Sequence, residues 1–351
     1  MPEFGTEVTR RQVLAAGAAL AAGHLLGACS DADLDTTAVP PSRPLDKLGT
    51  GSTADKLGPA EPTYFRFTLG DFEVTTVTDA GAVIDGPWPI VGENRPPAEV
   101  QKLMQENLLP AKKFRPGFTP MLVNTGKQLI LFDTGNGPAG FVPRPYGGWL
   151  KDQLRPAGYA PEQVDLVVLS HLHPDHVGGV MEDGRPLFPR ARYVIGQKEF
   201  DHWRGTDYGS LSPDANEYKT SRLFQSNVVP VADRVSFVQP EGEVVPGINA
   251  VEAYGHTPGH LAFHLESNGK RMLFWGDCAH HEVASLAHPE WHALFDMDKE
   301  KGAGTRKRIY GMAADERLLV MGYHTSFPSL GFVQRAGPAY RWIPLTYQLQ
   351  V

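Results

Sequence analysis

Six residues near the middle of the chain, His171-Leu172-His173-Pro174-Asp175-His176, bring together three imidazoles and a carboxylate. They begin two residues after the Val/Leu-rich run Val164 to Leu169. Such a run reads as a strand buried on both faces, which needs a covering layer on each side. Neutral imidazole and carboxylate suit zinc and neighbouring divalent ions. In a chain with 13 histidines, this density is not a chance cluster. His171 and His173, two apart, point the same way if strand geometry continues past the run. Pro174 ends that geometry and redirects Asp175 and His176. Gly178-Gly179 then allows the backbone to pass close to the site.

Further ligands have to come from later strand ends, and three residues qualify. His256 follows an expected strand from Ile248 to Tyr254, Asp277 one from Arg271 to Phe274, and His324 one from Leu318 to Met321. Each has a glycine nearby: Gly255, Gly276 and Gly322. Other strands are expected at Tyr64–Leu69 and Phe72–Thr78 around the Gly70-Asp71 turn, and at Thr119–Asn124 and Gln128–Phe132 around Thr125-Gly126-Lys127. Tyr193–Ile195, Val235–Val238, Leu261–Glu266 and Tyr340–Leu345 complete the strands. Helices are expected over Pro97–Leu108, Gly147–Pro156, Gln197–Trp203 and Lys299–Ala314, with helix and loop across Gly205–Ser226. The charges of Lys299 to Arg308 read as a solvated helix face. Strands and helices recur twice, which suits an α/β chain folded as a four-layer αββα sandwich. The pattern alone also fits an ordinary doubly wound sheet.

The first residues read as an address. Thr9-Arg10-Arg11-Gln12-Val13-Leu14 opens a weakly apolar Ala/Gly/Leu stretch ending in Leu26-Gly27-Ala28-Cys29. A twin arginine before such a stretch resembles a bacterial twin-arginine export signal, and the stretch is too short for an ordinary span of about 20 apolar residues. Its end resembles a lipobox, in which Cys29 is diacylated; plain cleavage near Ala28 reads similarly. Residues 30–62, poor in apolar side chains, read as a flexible tether. The expected organisation is a signal at 1–29, the tether at 30–62 and one folded metal-binding domain at 63–351. The expected location is periplasmic or cell-surface, with the membrane touched only through a lipid anchor. The formal charge of −7 argues against nucleic acid. The only other cysteine, Cys278, adjoins Asp277. It is expected to point away from it as a buried thiol.

The His171–His176 run, Gly255-His256-Thr257-Pro258-Gly259-His260 and Gly276-Asp277 together resemble the metallo-β-lactamase superfamily. The stretches Leu69–Glu73, Leu122–Gly126, Phe132–Gly135, Ala157–Tyr159 with Pro161–Asp165, and His324 through Pro328 resemble its methyl parathion hydrolase and lactonase branch. The resemblance runs from about Tyr64 to Tyr347. It implies that His171, His173 and His256 hold one ion, that Asp175, His176 and His324 hold another, and that Asp277 bridges. His173 stands where the redox diiron members carry Glu, which favours hydrolysis. The chain departs from methyl parathion hydrolase at Cys278-Ala279-His280-His281, where that branch is more apolar. This weighs against an organophosphate.

The implied activity is cleavage of an ester-like bond in a small apolar lactone, aryl ester or phosphotriester. Two divalent ions, zinc first and Mn, Co or Fe as alternatives, share a hydroxide. Asp175 orients it and passes a proton to the leaving group. Pocket candidates are Trp88, Phe114, Phe118, Phe141, Tyr146 and Trp203, each with a core role as the alternative; a tryptophan placed like Trp203 in methyl parathion hydrolase makes it the first choice. His260 and His264 read as supporting or core residues, His280 and His281 as pocket or surface turn, and His202, His288 and His292 as ordinary, although His292 beside Trp291 could face the cleft. Asp133 reads as a support for the ligand histidines. Competing readings are a β-lactam hydrolase, a one-iron sulfur oxygenase and a non-catalytic binding lipoprotein. A homodimer is compatible with all of these.

Overall fold

The structure is a computed structural model that describes residues 61–347. The export signal, Cys29 and nearly all of the tether lie outside the described residues. Seven strands form the first sheet: β1 (Tyr64–Leu69), β2 (Phe72–Val77), β3 (Met121–Asn124), β4 (Leu129–Phe132), β5 (Leu166–Leu169), β6 (Arg192–Gly196) and β7 (Val235–Val238). Seven more form the second: β8 (Glu243–Val245), β9 (Ile248–Glu252), β10 (Leu261–Ser267), β11 (Lys270–Phe274), β12 (Leu319–Met321), β13 (Leu330–Ala336) and β14 (Ala339–Pro344). In both sheets the strands lie side by side in chain order. The first begins as an antiparallel meander and becomes parallel from β4 onward. In the second only β11 and β12 run parallel.

The period of two along each strand divides the apolar side chains between two cores. From β4 and β5, Ile130, Phe132, Leu166 and Val168 face the second sheet and meet Phe263, Leu265, Met272 and Phe274. Leu129, Leu131, Val167 and Leu169 point the other way. There they pack under α2 (Leu150–Leu154), α4 (Gln197–Gly205) and α5 (Asn216–Leu223) through Leu154, Phe200, Trp203 and Leu223. On the far side, Ala262, Leu273 and Val320 meet Ile309, Tyr310 and Ala313 of α7 (Lys299–Asp315). The four layers are therefore helix, sheet, sheet and helix, as the sequence led us to expect. α1 (Pro97–Glu106) instead builds a small cluster with Ile90, Val91 and Trp291. Two one-turn helices, α3 (Pro174–Val177) and α6 (Ala284–Ala287), sit in the loops between strands. No helix among the described residues is long and apolar enough to cross a membrane.

Two strands of the main sheets were not legible in the sequence, nor were the two-residue strands Ile84–Asp85, Lys113–Phe114, Met181–Glu182 and Arg185–Pro186, which form two small separate sheets. β13 contains Gly331 and carries the exposed Gln334-Arg335 near its end, and the sequence offered no strand expectation for it. It is a strand because both neighbours pair with it, and Gly331 makes room for Trp342, whose ring would lie 2.5 Å from a Cβ there. β8 is short and half-buried. The face of α7 also differs from expectation. Arg306 lies within the expected solvated charge run, yet it is buried. It points inward because two backbone carbonyls and Asp296 receive its guanidinium.

Asp79, just after β2, ties the rim of the first sheet together. Its carboxylate accepts from the Asn136 N–H at 2.7 Å, the Asn136 Nδ2–H at 2.8 Å and the Leu150 N–H at 2.8 Å. An Asp79→Ala variant strands these buried donors and is expected to lose at least about 2 kcal/mol of stability. Urea denaturation of the purified variant against the parent chain measures this; an unchanged midpoint would contradict the assigned role.

Candidate metal centre

β4, β5, β9, β11 and β12 deliver their following loops to one rim shared by the two sheets. The loop after β5 carries His171, His173, Asp175 and His176, the last two on α3, where Pro174 starts the helical turn. His256, Asp277 and His324 arrive after β9, β11 and β12. All seven side chains converge, in two groups. His171, His173, His256 and Asp277 offer donor atoms within 4.8 Å of one another, and so do Asp175, His176, Asp277 and His324. Asp277 belongs to both. Its Oδ2 lies 3.2 Å from His256 Nε2 and 3.1 Å from His324 Nε2, while Oδ1 is 3.0 Å from His176 Nε2. Asp175 Oδ2 is 3.4 Å from both His176 Nε2 and His324 Nε2.

The outer nitrogens explain which way the lone pairs point. His176 Nδ1 contacts Asp133 Oδ2 at 2.7 Å, and His256 Nδ1 contacts Asp296 Oδ1 at 3.0 Å. His324 Nδ1 meets the Gly117 carbonyl at 3.0 Å. The Ser170 hydroxyl donates to Asp133 Oδ2, which leaves its oxygen to accept from His171 Nδ1 at 3.0 Å. Each partner accepts a hydrogen bond from the outer N–H, so in the neutral ring the Nε2 lone pair faces the centre. His324 is held in a left-handed conformation, φ +68°, by its pairing with Gly117. Tyr323 packs its ring against His176 at a tilt, with centroids 4.2 Å apart, and donates its hydroxyl to the Asp175 carbonyl. Gly178 fits beneath this loop only without a side chain, since a Cβ would lie 1.9 Å from the Asn136 carbonyl oxygen.

These donors fit divalent cations. His173 Nδ1 lies 2.8 Å from His256 Nε2, which lies 3.1 Å from His171 Nε2. Lone pairs at such distances repel unless a cation or proton lies among them. His176 Nε2 and Asp277 Oδ1 are buried without a hydrogen-bond partner. Asp133, Asp175, Asp277, Asp296 and Glu199 are all buried around the centre, while Arg306 is the one buried Lys or Arg side chain among the described residues. The metal-free chain answers this excess with protons. Burial pulls His256 down, but Asp277 and Asp296 outweigh it and bring its pKa to about 9. His176 is likewise raised, with Asp277, Asp175 and Asp133 overcoming burial. Burial keeps His171 and His173 well below the usual imidazole value.

A cleft of about 910 Å³ opens onto the centre, where His173, Asp175, Asp277, His280 and His324 reach it. Phe114, Phe118 and Phe141 line it, as the sequence suggested, joined by Ile84, Ile90, Leu294 and Phe295. Phe118 stands edge-on to His324 with ring centroids 5.2 Å apart. The other three aromatic candidates lie elsewhere. Trp203 is buried one turn after Glu199 on α4; its indole N–H is bound by that carboxylate and its ring backs onto His173. Trp88 donates its N–H to the Arg95 carbonyl and packs against the α1 cluster. Tyr146 is exposed and does not line the cleft.

His280 is buried at the cleft floor, neither ring nitrogen has a hydrogen-bond partner, and burial lowers its pKa to about 3. His281 lies under Phe114 and its Nδ1 accepts two backbone N–H groups, so it is no surface turn. His292 does not line the cleft. His260 supports the Asp277 loop by accepting the Asp277 N–H at 3.1 Å. Cys278 is buried against α7, and burial raises its thiol pKa. Three residues of the site left no signal in the sequence: Glu199, Asp296 and Arg306. They lie far from the ligand motifs along the chain and meet them only through packing.

A family model described as the metallo-beta-lactamase superfamily matches residues 119–307, more than half of the chain. Among curated proteins, the chain is 26% identical over 179 residues to an atrochrysone carboxyl ACP thioesterase of Passalora fulva, covering 51% of this chain and 42% of that protein. It is 27% identical over 171 residues to an N-acyl homoserine lactonase of Bacillus cereus, covering 49% of this chain and 60% of that one. The match thus spans about half the length of these curated relatives. Among solved structures, the dizinc quorum-quenching lactonase AidC superposes with a TM-score of 0.73 at 26% identity, over 81% of this chain and 98% of that one. The hydrolase AbOPH gives 0.74 at 27% identity, over 82% and 99%. With the family model matching its central part and the same fold in these neighbours, this chain belongs to the metallo-beta-lactamase superfamily.

Proposed function

We propose that this protein is a metal-dependent hydrolase that opens lactones carrying an apolar acyl chain, the N-acyl homoserine lactones among them. The observation that carries this reading is the junction of the seven converging donors with a largely apolar cleft. Lactonases recur among the relatives and neighbours, and the neighbour AidC is described as a dizinc enzyme with a bound lactone-derived product. His171, His173 and His256 would hold one divalent ion, Asp175, His176 and His324 the other, with Asp277 shared; zinc is the first choice. Bound there, the ions supply Lewis acidity toward the ester carbonyl and a water acidified toward neutrality.

The chain's own residues supply position and proton movement. Phe114, Phe118, Phe141 and Phe295 remove the acyl chain from water, which favours apolar substrates over polar ones. His280 offers the substrate a ring N–H or a lone pair at the cleft floor. The carboxylate of Asp175 takes the proton of the attacking water. As the ring C–O bond breaks it delivers that proton to the leaving alkoxide, giving a hydroxy acid. Export of the enzyme, with Cys29 as its lipid anchor, is proposed from Arg10-Arg11 and Leu26–Cys29. A Cys29→Ala variant should then leave the membrane fraction, and unchanged partition would remove the anchor from the picture.

A substrate panel tests the reading. With zinc-replete protein, kcat/KM is expected to be highest for a medium- or long-chain N-acyl homoserine lactone. An aryl ester, a paraoxon-type triester and a cephalosporin should all fall below it; a higher value for any of them contradicts the lactone assignment. On the lactone, His280→Phe should raise KM by about tenfold, the value of one hydrogen bond, with kcat less affected. An unchanged KM would take His280 out of substrate contact. Two carboxylate variants separate the roles at the centre. Asp277→Ala should lose metal and activity together, whereas Asp175→Asn should keep most of its metal while kcat falls by about 10²–10⁴. Metal analysis by mass spectrometry beside kinetics reads both, and two ions retained in Asp277→Ala would sink the shared-ligand assignment.

A further inference from the structure

Glu199, the third residue of α4, is fully buried, and all its hydrogen-bond partners are neutral. Oε1 accepts the Leu172 N–H at 3.1 Å and the Trp203 Nε1–H at 2.8 Å. Oε2 accepts the Thr257 hydroxyl at 2.7 Å and the Gly259 N–H at 3.0 Å. Leu172 sits between His171 and His173, while Thr257 and Gly259 follow His256. One carboxylate therefore clamps together the two loops that carry all three imidazoles of the first group. The contact is close enough to require glycine at 259, where a Cβ would lie 2.1 Å from the Glu199 nitrogen.

The clamp depends on charge as well as shape. Four donors occupy the carboxylate, two on each oxygen, so both oxygens have to act as acceptors. A glutamine would turn an amide N–H₂ against one pair of donors. The negative charge has no salt-bridge partner among the described residues, and a buried charge left unpaired is costly. A cation at the neighbouring imidazole group would lower that cost.

We propose that Glu199 is a positioning residue that couples the assembly of the His171/His173/His256 group to its occupancy by a divalent cation. It holds the three nitrogens in convergence, and the bound ion offsets its buried charge. The coupling is reciprocal, so a weakened clamp weakens the ion and a missing ion loosens the clamp. This inference rests on the two-ion reading above, and the clamp itself is independent of which substrate is cleaved.

Glu199→Gln in the full chain tests it, with zinc affinities measured by chelator competition and melting temperatures taken in chelated and zinc-loaded forms. One of the two ions is expected to bind about 10–100-fold more weakly, with the other unchanged. The loaded form should lose more melting temperature than the chelated form. Two ions bound as tightly as in the parent chain overturn the proposal. So does an equal loss of melting temperature in both forms, which would leave Glu199 with a packing role alone. If Glu199→Gln does not fold, Thr257→Val removes one donor and keeps the charge; a weakened ion then supports the proposal and an unchanged one overturns it. A parent chain that binds no zinc defeats the two-ion reading instead, so the two failures are distinguishable.

Discussion

Seven donor groups are forced into one buried space, with imidazole nitrogens 2.8 Å and 3.1 Å apart and a carboxylate reaching both halves. Left alone, these groups repel one another or bind protons, and the raised values of His176 and His256 express that demand. Metal affinity in such a cluster is set against protonation, since ligand nitrogens must give up protons to coordinate. Much of the surrounding structure serves to keep the groups there despite this cost.

The supports come from opposite sides of the sandwich. From the first sheet, Asp133 receives His176 and Ser170, and through Ser170 fixes His171. Against the second sheet, Asp296 orients His256 and is itself paired with Arg306 from α7. Burial alone would push Asp296 up, yet Arg306 and His256 bring it below the usual carboxylate range. Glu199 spans the two sides. A site assembled this way gains rigidity because the loops inherit the geometry of strand ends, where backbone positions are fixed by ladder hydrogen bonds.

The cleft follows a different logic. Its walls are contributed by loops on either side of α1, the loop after β4, helix α5 and the segment before α7, while the donor residues themselves form only its floor. This is how one centre can serve different substrates within a family while the walls choose among them. Here one side is aromatic and aliphatic, with Phe114, Phe118, Phe141 and Phe295. The α5 side carries polar and charged residues such as Glu217, Lys219 and Arg222, and His280 is a buried polar group at the floor with neither ring nitrogen hydrogen-bonded.

The sequence by itself named the seven donor residues that the structure gathers into one space. A His/Asp run after a Val/Leu-rich strand, and three further strand ends with a nearby glycine, carry their information locally, because strand period and motif spacing are short-range properties. The same locality made most strands and helices readable, while the pattern alone left the four-layer sandwich and a doubly wound sheet both open. Only the tertiary structure decided what depends on distant residues meeting. Trp203 looked like a pocket wall and lies behind His173, because Glu199, four residues earlier on α4, captures its indole N–H. Arg306 sat in an apparently solvated charge run and turned inward, because Asp296 and two carbonyls wait for it there. β13 carried no strand expectation and is a strand because two partners flank it. Each of these outcomes is set by which partner the packed structure brings into reach, whether near in the chain or far, and no periodicity or motif spacing encodes that choice.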